Sequence, residues 1–173
     1  MKLKKLFVLF VMAILVISYS CEKGGQTITG LSGKLTSHTG CKSFKSTGLE
    51  SDTPDTLSCV EYTLNEAENK LIIKHINAGF NCCPESLYCD IELKSDTIYI
   101  HEHETDGLCD CLCLFDLDIE ITGVDAKKYQ VVFIEPYALD QAELEFEADL
   151  TNNPSGSFCI TRKKYPWGEF NLQ

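Results

Sequence analysis

Sulfur is the chemistry this chain carries most of. Ten of its 173 residues are cysteine. Cys109, Cys111 and Cys113 alternate within CDCLC, Cys82 and Cys83 are adjacent within NCCP, and Cys21, Cys41, Cys59, Cys89 and Cys159 are scattered. Thiols of this kind close disulfides, bind soft metal ions or exchange disulfides with other proteins. In an exported chain, so many cysteines predict a disulfide framework. Strand alternation places Cys89, Cys109, Cys111 and Cys113 on inward faces and Cys82 and Cys83 in a turn. Cys41, Cys59 and Cys159 fall in a loop or on outward faces. The inner six can make up to three bridges, linking the NCCP turn and the Cys89 strand to the CDCLC strand. The outer three leave one odd thiol, expected among Cys41, Cys59 and Cys159. Eight cysteines alone allow roughly 105 pairings, so connectivity stays open.

A metal centre is the competing use, because Cys82, Cys83, Cys109, Cys111 and His75 are all ligand types for Zn²⁺ or Cu⁺. Strand geometry argues against it. Cys109 and Cys113 would lie about 13 Å apart at ~3.3 Å per residue, too far for both to reach one zinc at ~2.3 Å. His101 and His103 share a strand face and are read as surface or edge residues. Thiol redox chemistry at the Cys82/Cys83 and Cys109/Cys111/Cys113 cluster is the other alternative. It lacks support from any Cys-x-x-Cys pair or thioredoxin-like alternation of strands and helices. No metal or cofactor is therefore expected.

Other catalytic signatures are missing: no G-x-S-x-G, H-E-x-x-H, phosphate-binding glycine loop or G-x-G-x-x-G occurs. The carboxylates Asp116 and Asp118, and Glu143, Glu145 and Glu147, alternate strictly. That spacing reads as solvent-facing strand rather than glycosidase acid pairs or Ca²⁺ ligands. No catalytic residue is expected, and a non-enzymatic role follows.

The elements that must carry these residues begin with an export signal. Lys2, Lys4 and Lys5 precede an apolar run from Leu6 to Ile17, the layout of a secretory signal peptide. The run is shorter than the ~20 residues needed to cross a bilayer as a helix. Ser18-Tyr19-Ser20-Cys21 follows at once and resembles a loose bacterial lipobox, in which the cysteine is acylated and becomes the new N-terminus. Residues 1–20 are then the signal and Cys21 the lipidation site, a durable attachment because each buried methylene contributes ~0.8 kcal/mol. Residues 21–36, rich in Gly, Ser and Thr, read as a flexible tether spanning ~20 Å.

Removing the signal leaves 26 acidic against 12 basic residues, a formal charge of −14. Such a charge repels phosphate backbones and excludes nucleic acid as a partner. The one basic cluster, Arg162-Lys163-Lys164, reads as the end of the last strand.

From residue 57 onward the apolar pattern has period two. One face of a long strand carries Cys109, Cys111, Cys113, Phe115, Leu117, Ile119 and Ile121. Another strand carries Leu87, Cys89, Ile91 and Leu93, with Tyr88, Asp90, Glu92 and Lys94 opposite. Further strands are predicted at residues 60–64, 71–76, 97–101, 129–134, 144–150 and 158–160. Many short strands at about ten-residue spacing predict an all-β antiparallel sandwich over residues 37–165, with an immunoglobulin-like order as the first choice and a jelly roll as the alternative. Residues 166–173 form a tail.

HINAGFNCCP at 75–84, IYIHE at 98–102 and CDCLCLFD at 109–116 together resemble a set of uncharacterised exported lipoproteins of Bacteroidetes-type bacteria. The resemblance covers about the middle third of the mature chain. It implies lipidation and a β-rich fold, and it transfers no catalytic residue. The function expected is a lipid-anchored cell-envelope protein, on the outer membrane facing periplasm or surface. Its disulfide-stapled sandwich would bind a protein or glycan or serve structurally, with Tyr88, Tyr99 and Trp167 as candidate binding aromatics.

Overall fold

The computed structural model describes residues 30–42, 53–105 and 109–163. Cys21, the 1–20 signal, Trp167 and the 166–173 tail lie outside the described residues. Nine strands are present among those described: β1 (Ser32–His38), β2 (Leu57–Asn65), β3 (Lys70–Asn81), β4 (Leu87–Lys94), β5 (Thr97–Glu104), β6 (Leu112–Thr122), β7 (Lys128–Ile134), β8 (Leu144–Asp149) and β9 (Ser155–Thr161). They form two packed sheets, ordered β1-β6-β3-β2-β9 and β4-β5-β7-β8. The all-β sandwich predicted from the period-two pattern is what the chain forms. All neighbours are antiparallel except β5 and β7, which run parallel because β6, in the other sheet, carries the chain between them. This parallel pair and the strand order depart from the ABED/CFG arrangement of an immunoglobulin constant domain.

Alternation builds the core. Leu71 and Ile73 of β3, Leu117, Ile119 and Ile121 of β6, Ile98 and Ile100 of β5, and Val131 and Phe133 of β7 are buried between the sheets. Local turn chemistry sets the hairpins. A short 3-10 turn at Glu66–Glu68 joins β2 to β3 and is closed by Asn69 in the left-handed region at φ 48. Ser95, also left-handed at φ 56, turns β4 into β5.

Three elements depart from the sequence expectation. First, β1 starts at Ser32, inside the stretch 21–36 read as tether. Its glycine and serines masked a weak row of Leu31 and Leu35, which pack against the core. Gly33 lets β1 lie against β4: a Cβ there would stand 2.4 Å from Ile91 Cγ1 and 3.0 Å from the Glu120 carbonyl oxygen. Second, β3 continues to Asn81 rather than ending near Ile76. A bulge moves the register from His75↔Leu117 to Ala78↔Phe115 and puts Asn77 at φ 65. The Asn77 side chain holds this kink, donating to the carbonyls of Pro54 at 3.0 Å and Leu57 at 2.8 Å and accepting from Lys42 Nζ. Third, the strand expected from Cys109 begins only at Leu112, where its pairing with Asn81 ends. Cys109 and Cys111 are consequently exposed, not inward.

Candidate functional site

Four disulfides join eight of the nine cysteines from Cys41 onward: Cys41–Cys113, Cys59–Cys159, Cys82–Cys111 and Cys83–Cys109. The NCCP turn is bridged twice to the CDC segment, as the inner grouping anticipates, but Cys113 turns to Cys41 instead. Cys59 and Cys159 stand opposite each other in the β2–β9 ladder, so two cysteines of the outer group find each other. The odd thiol is Cys89, not one of the outer three. Its row on β4 meets no other cysteine. Burial, then the carboxylates of Glu102 and Asp90, push its thiol up to about 12, so it is neither a thiolate nor a nucleophile at neutral pH.

His75 lies apart from the sulfur cluster, in a buried polar layer. The inward rows of five strands each continue from apolar residues into a polar one at the same end of the sandwich: Ser58 on β2, His75 on β3, Glu102 on β5, Glu135 just after β7 and Arg162 just after β9. His75 Nε2 is 2.9 Å from Ser58 Oγ, and His75 Nδ1 is 2.7 Å from Glu102 Oε1. Arg162 ion-pairs with Glu135 and donates to the Ala142 carbonyl oxygen at 2.8 Å. Phe133 meets the imidazole edge-on, with ring centroids 4.9 Å apart. Arg162, read from sequence as the start of a surface basic cluster, is thus interior, while Lys163 remains exposed.

Two opposing effects set the charge of this layer. Burial works to lower the His75 pKa, but Glu102 and Glu135 outweigh it, and the imidazolium is favoured above its ordinary range. Burial also raises the Glu135 carboxyl against the pull of His75 and Arg162. Glu102 Oε2 and Glu135 Oε1 accept no hydrogen bond among the described residues. Serine, imidazole and carboxylate stand in the order of a nucleophile relay, yet Ser58 and His75 are fully buried, so no substrate reaches Ser58 Oγ in this closed sandwich. Ligand atoms of His75, Glu102 and Glu135 lie within 4.8 Å of one another. The His75 imidazole and the Arg162 guanidinium already engage the two carboxyl groups, and a divalent cation would have to compete with both.

The accessible site is the outer face of the second sheet. Along β5, Tyr99, His101 and His103 point outward, and β4 contributes Tyr88, Asp90, Glu92 and Lys94. Tyr88 stacks on His103 at 4.9 Å between centroids, His103 lies parallel to His101 at 6.4 Å, and Tyr99 follows at 6.3 Å. This forms one continuous row of four flat rings. Carboxylates flank it: Asp90 approaches His103 Nε2 at 3.4 Å and Glu92 approaches His101 Nε2 at 3.7 Å. Lys94 Nζ sits 5.2 Å from the centre of the Tyr99 ring. In register beside the row are Val132 and exposed Ile134 on β7, then Glu145 and Glu147 on β8. The tyrosines singled out in the sequence are therefore assembled with two histidines read there only as surface residues.

These features define a class, a two-sheet β-sandwich stapled by four disulfides with an aromatic outer face. The chain matches no protein-family model, and no curated protein or solved structure is similar to it at a significant level.

Proposed function

We propose that the protein is an exported, lipid-anchored binding module of the cell envelope, attached through Cys21, that captures non-anionic glycan chains on the β4–β5 face. The observation carrying this reading is the row Tyr88-His103-His101-Tyr99. Flat rings at roughly sugar-length spacing stack on the apolar faces of pyranoses, as aromatic side chains do on other extended surfaces. Asp90 and Glu92 accept hydrogen bonds from hydroxyl or amino groups. The formal charge of −14 left after the signal is removed, together with the carboxylates lining the row, disfavours sulfated or uronic acid polymers. Four disulfides favour an oxidising compartment.

The test is binding of the full chain to immobilised neutral, amino-bearing and sulfated glycans. Retention on one of the first two classes is expected, with the Tyr99→Ala/His101→Ala double variant losing at least tenfold in affinity. Retention on sulfated glycans alone, or an unchanged double variant, would refute the site. Attachment is tested separately: cells fed a clickable fatty acid should label the wild-type chain and not Cys21→Ala, and labelling that persists in the variant would remove Cys21 from the proposal.

A further inference from the structure

The four cysteines of the NCCP turn and the CDC segment form a compact sulfur cluster. The sulfurs of Cys82, Cys109 and Cys111 lie within 4.8 Å of one another, although Cys82 and Cys109 belong to different bridges. Cys83 is bonded to Cys109, so the fourth sulfur adjoins the group, although it lies beyond 4.8 Å from at least one of the other two. The departure of Cys109 and Cys111 from β6 makes this convergence feasible, since a straight strand would spread the sulfurs along its length.

The two segments are also held together without their bridges. Asn81 Nδ2 donates to the Cys109 carbonyl oxygen at 2.7 Å, and Asn81 Oδ1 accepts from the Cys83 N–H at 3.0 Å. The Cys82 N–H donates to the Cys111 carbonyl oxygen at 3.1 Å. The Asn81 backbone N–H is fixed in turn by Glu104 Oε2 at 2.7 Å, and Tyr137 donates to the other oxygen of Glu104. Opening the two disulfides therefore leaves the backbones in register. Cys83, Cys109 and Cys111 are exposed and Cys82 half-buried, so an external reductant and a cation both have access.

We propose that this cluster is a redox-gated metal site: reduced, Cys82, Cys83, Cys109 and Cys111 hold one Zn²⁺ as a thiolate tetrad. Sulfurs around a tetrahedral zinc stand about 3.8 Å apart for Zn–S distances of ~2.3 Å, so Cys82, Cys109 and Cys111 need only a small approach and Cys83 a side-chain rotation toward them. Two dithiol molecules supply four electrons and four protons, opening both bridges and leaving as cyclic disulfides. Zinc binding then releases the four thiol protons. Oxidation by a disulfide-forming partner reverses the sequence and expels the ion. His75 has no part, because it is sealed in the interior, and Cys113 is committed to Cys41.

The full chain, reduced anaerobically with two equivalents of dithiol so that the two exposed bridges open, is to be equilibrated with Zn²⁺ and desalted. Bound metal, resistance to a chromophoric chelator and far-UV circular dichroism are then read. One retained equivalent with an unchanged sheet signal is expected. The Cys82→Ser/Cys111→Ser double variant should lose at least tenfold in affinity, while Cys59→Ser/Cys159→Ser keeps it. Co²⁺ in place of Zn²⁺ should give thiolate charge-transfer absorption in the wild type. No retained zinc, equal retention in the Cys82→Ser/Cys111→Ser variant, or loss of the sheet signal on reduction would each overturn the proposal. Glycan retention by the oxidised chain is unaffected by any of these results, so the two readings fail separately.

Discussion

Replacing His75 by alanine should lower the unfolding free energy by about 3–5 kcal/mol, the range seen when one partner of a buried ion pair is removed and the others stay uncompensated. In the variant, Glu102 loses the imidazole at 2.7 Å, and Ser58 Oγ loses its nearer partner at 2.9 Å, keeping only the Arg162 donor at 3.4 Å. The wild type should also show a characteristic pH dependence. The His75 pKa is raised above 6.5 and the Glu135 pKa above 4.5, so folding takes up protons at both positions. A raised folded pKa gives stability that is complete below the unfolded value and is lost as pH rises through the folded one. For His75 that loss begins at pH 6.5 and ends above it. Denaturant midpoints measured upward from pH 6 should therefore fall in the wild type and stay flatter in His75→Ala. A wild-type curve that instead climbs over this window would show that the layer holds neutral imidazole. Exchanging all four charged residues for apolar ones of similar volume should cost far less than the single change, because no uncompensated charge is left behind.

The second large effect is expected at Cys59–Cys159. This bridge joins residues 100 apart in sequence, the widest span of the four. Closing a loop of that size restricts the unfolded chain by about 4.7 kcal/mol. The double serine variant should unfold that much more readily in urea, with little change in far-UV circular dichroism, because the β2–β9 ladder still pairs from Leu57↔Thr161 to Thr63↔Ser155. Breaking Cys83–Cys109 should cost far less, because Cys82–Cys111 already joins the same two segments and leaves it only a few residues to close. Equal losses from the two bridges would mean that native-state contacts, not loop closure, dominate.

The sandwich was legible because nearly every strand buries one face and exposes the other, which leaves a period of two in the sequence. The same rows carried a further signal in the polar layer. Leu71, Ile73 and His75 form one row, as do Ile98, Ile100 and Glu102, then Val131, Phe133 and Glu135, then Phe158, Ile160 and Arg162. Each ends on a group that can ionise. Reading any one row makes its charged end look like a strand terminus at the surface. Only the stacking of the strands, which alternation does not encode, brings the ends together.

The sulfur pairing was hidden for a similar reason. Inward or outward placement of single cysteines does not reveal that Cys59 and Cys159 face each other across a ladder, or that the chain leaves β6 before Cys111. The bulge at Asn77 was obscured because residues 77–81 are buried in succession, which breaks the period on which the reading of β3 depended. The ring row was half visible: Tyr88 and Tyr99 stood out individually, but the β4–β5 register is needed to set Tyr88 beside His103 and Asp90 beside His101.

The attachment of β1 has a mechanical consequence. A pull arriving from the N-terminal side enters the described fold at Ser32, where β1 is an edge strand held to β6 by successive backbone pairs. Pairs along an edge yield one at a time, so a modest tension peels this strand first. The peel cannot run far, because Cys41 lies three residues beyond the end of β1 and is covalently joined to Cys113 in β6. There the load passes to a strand pinned between two neighbours. The first strand thus behaves as a short extensible leader on a welded stop, absorbing tugs while the second sheet and its ring-lined face stay in shape.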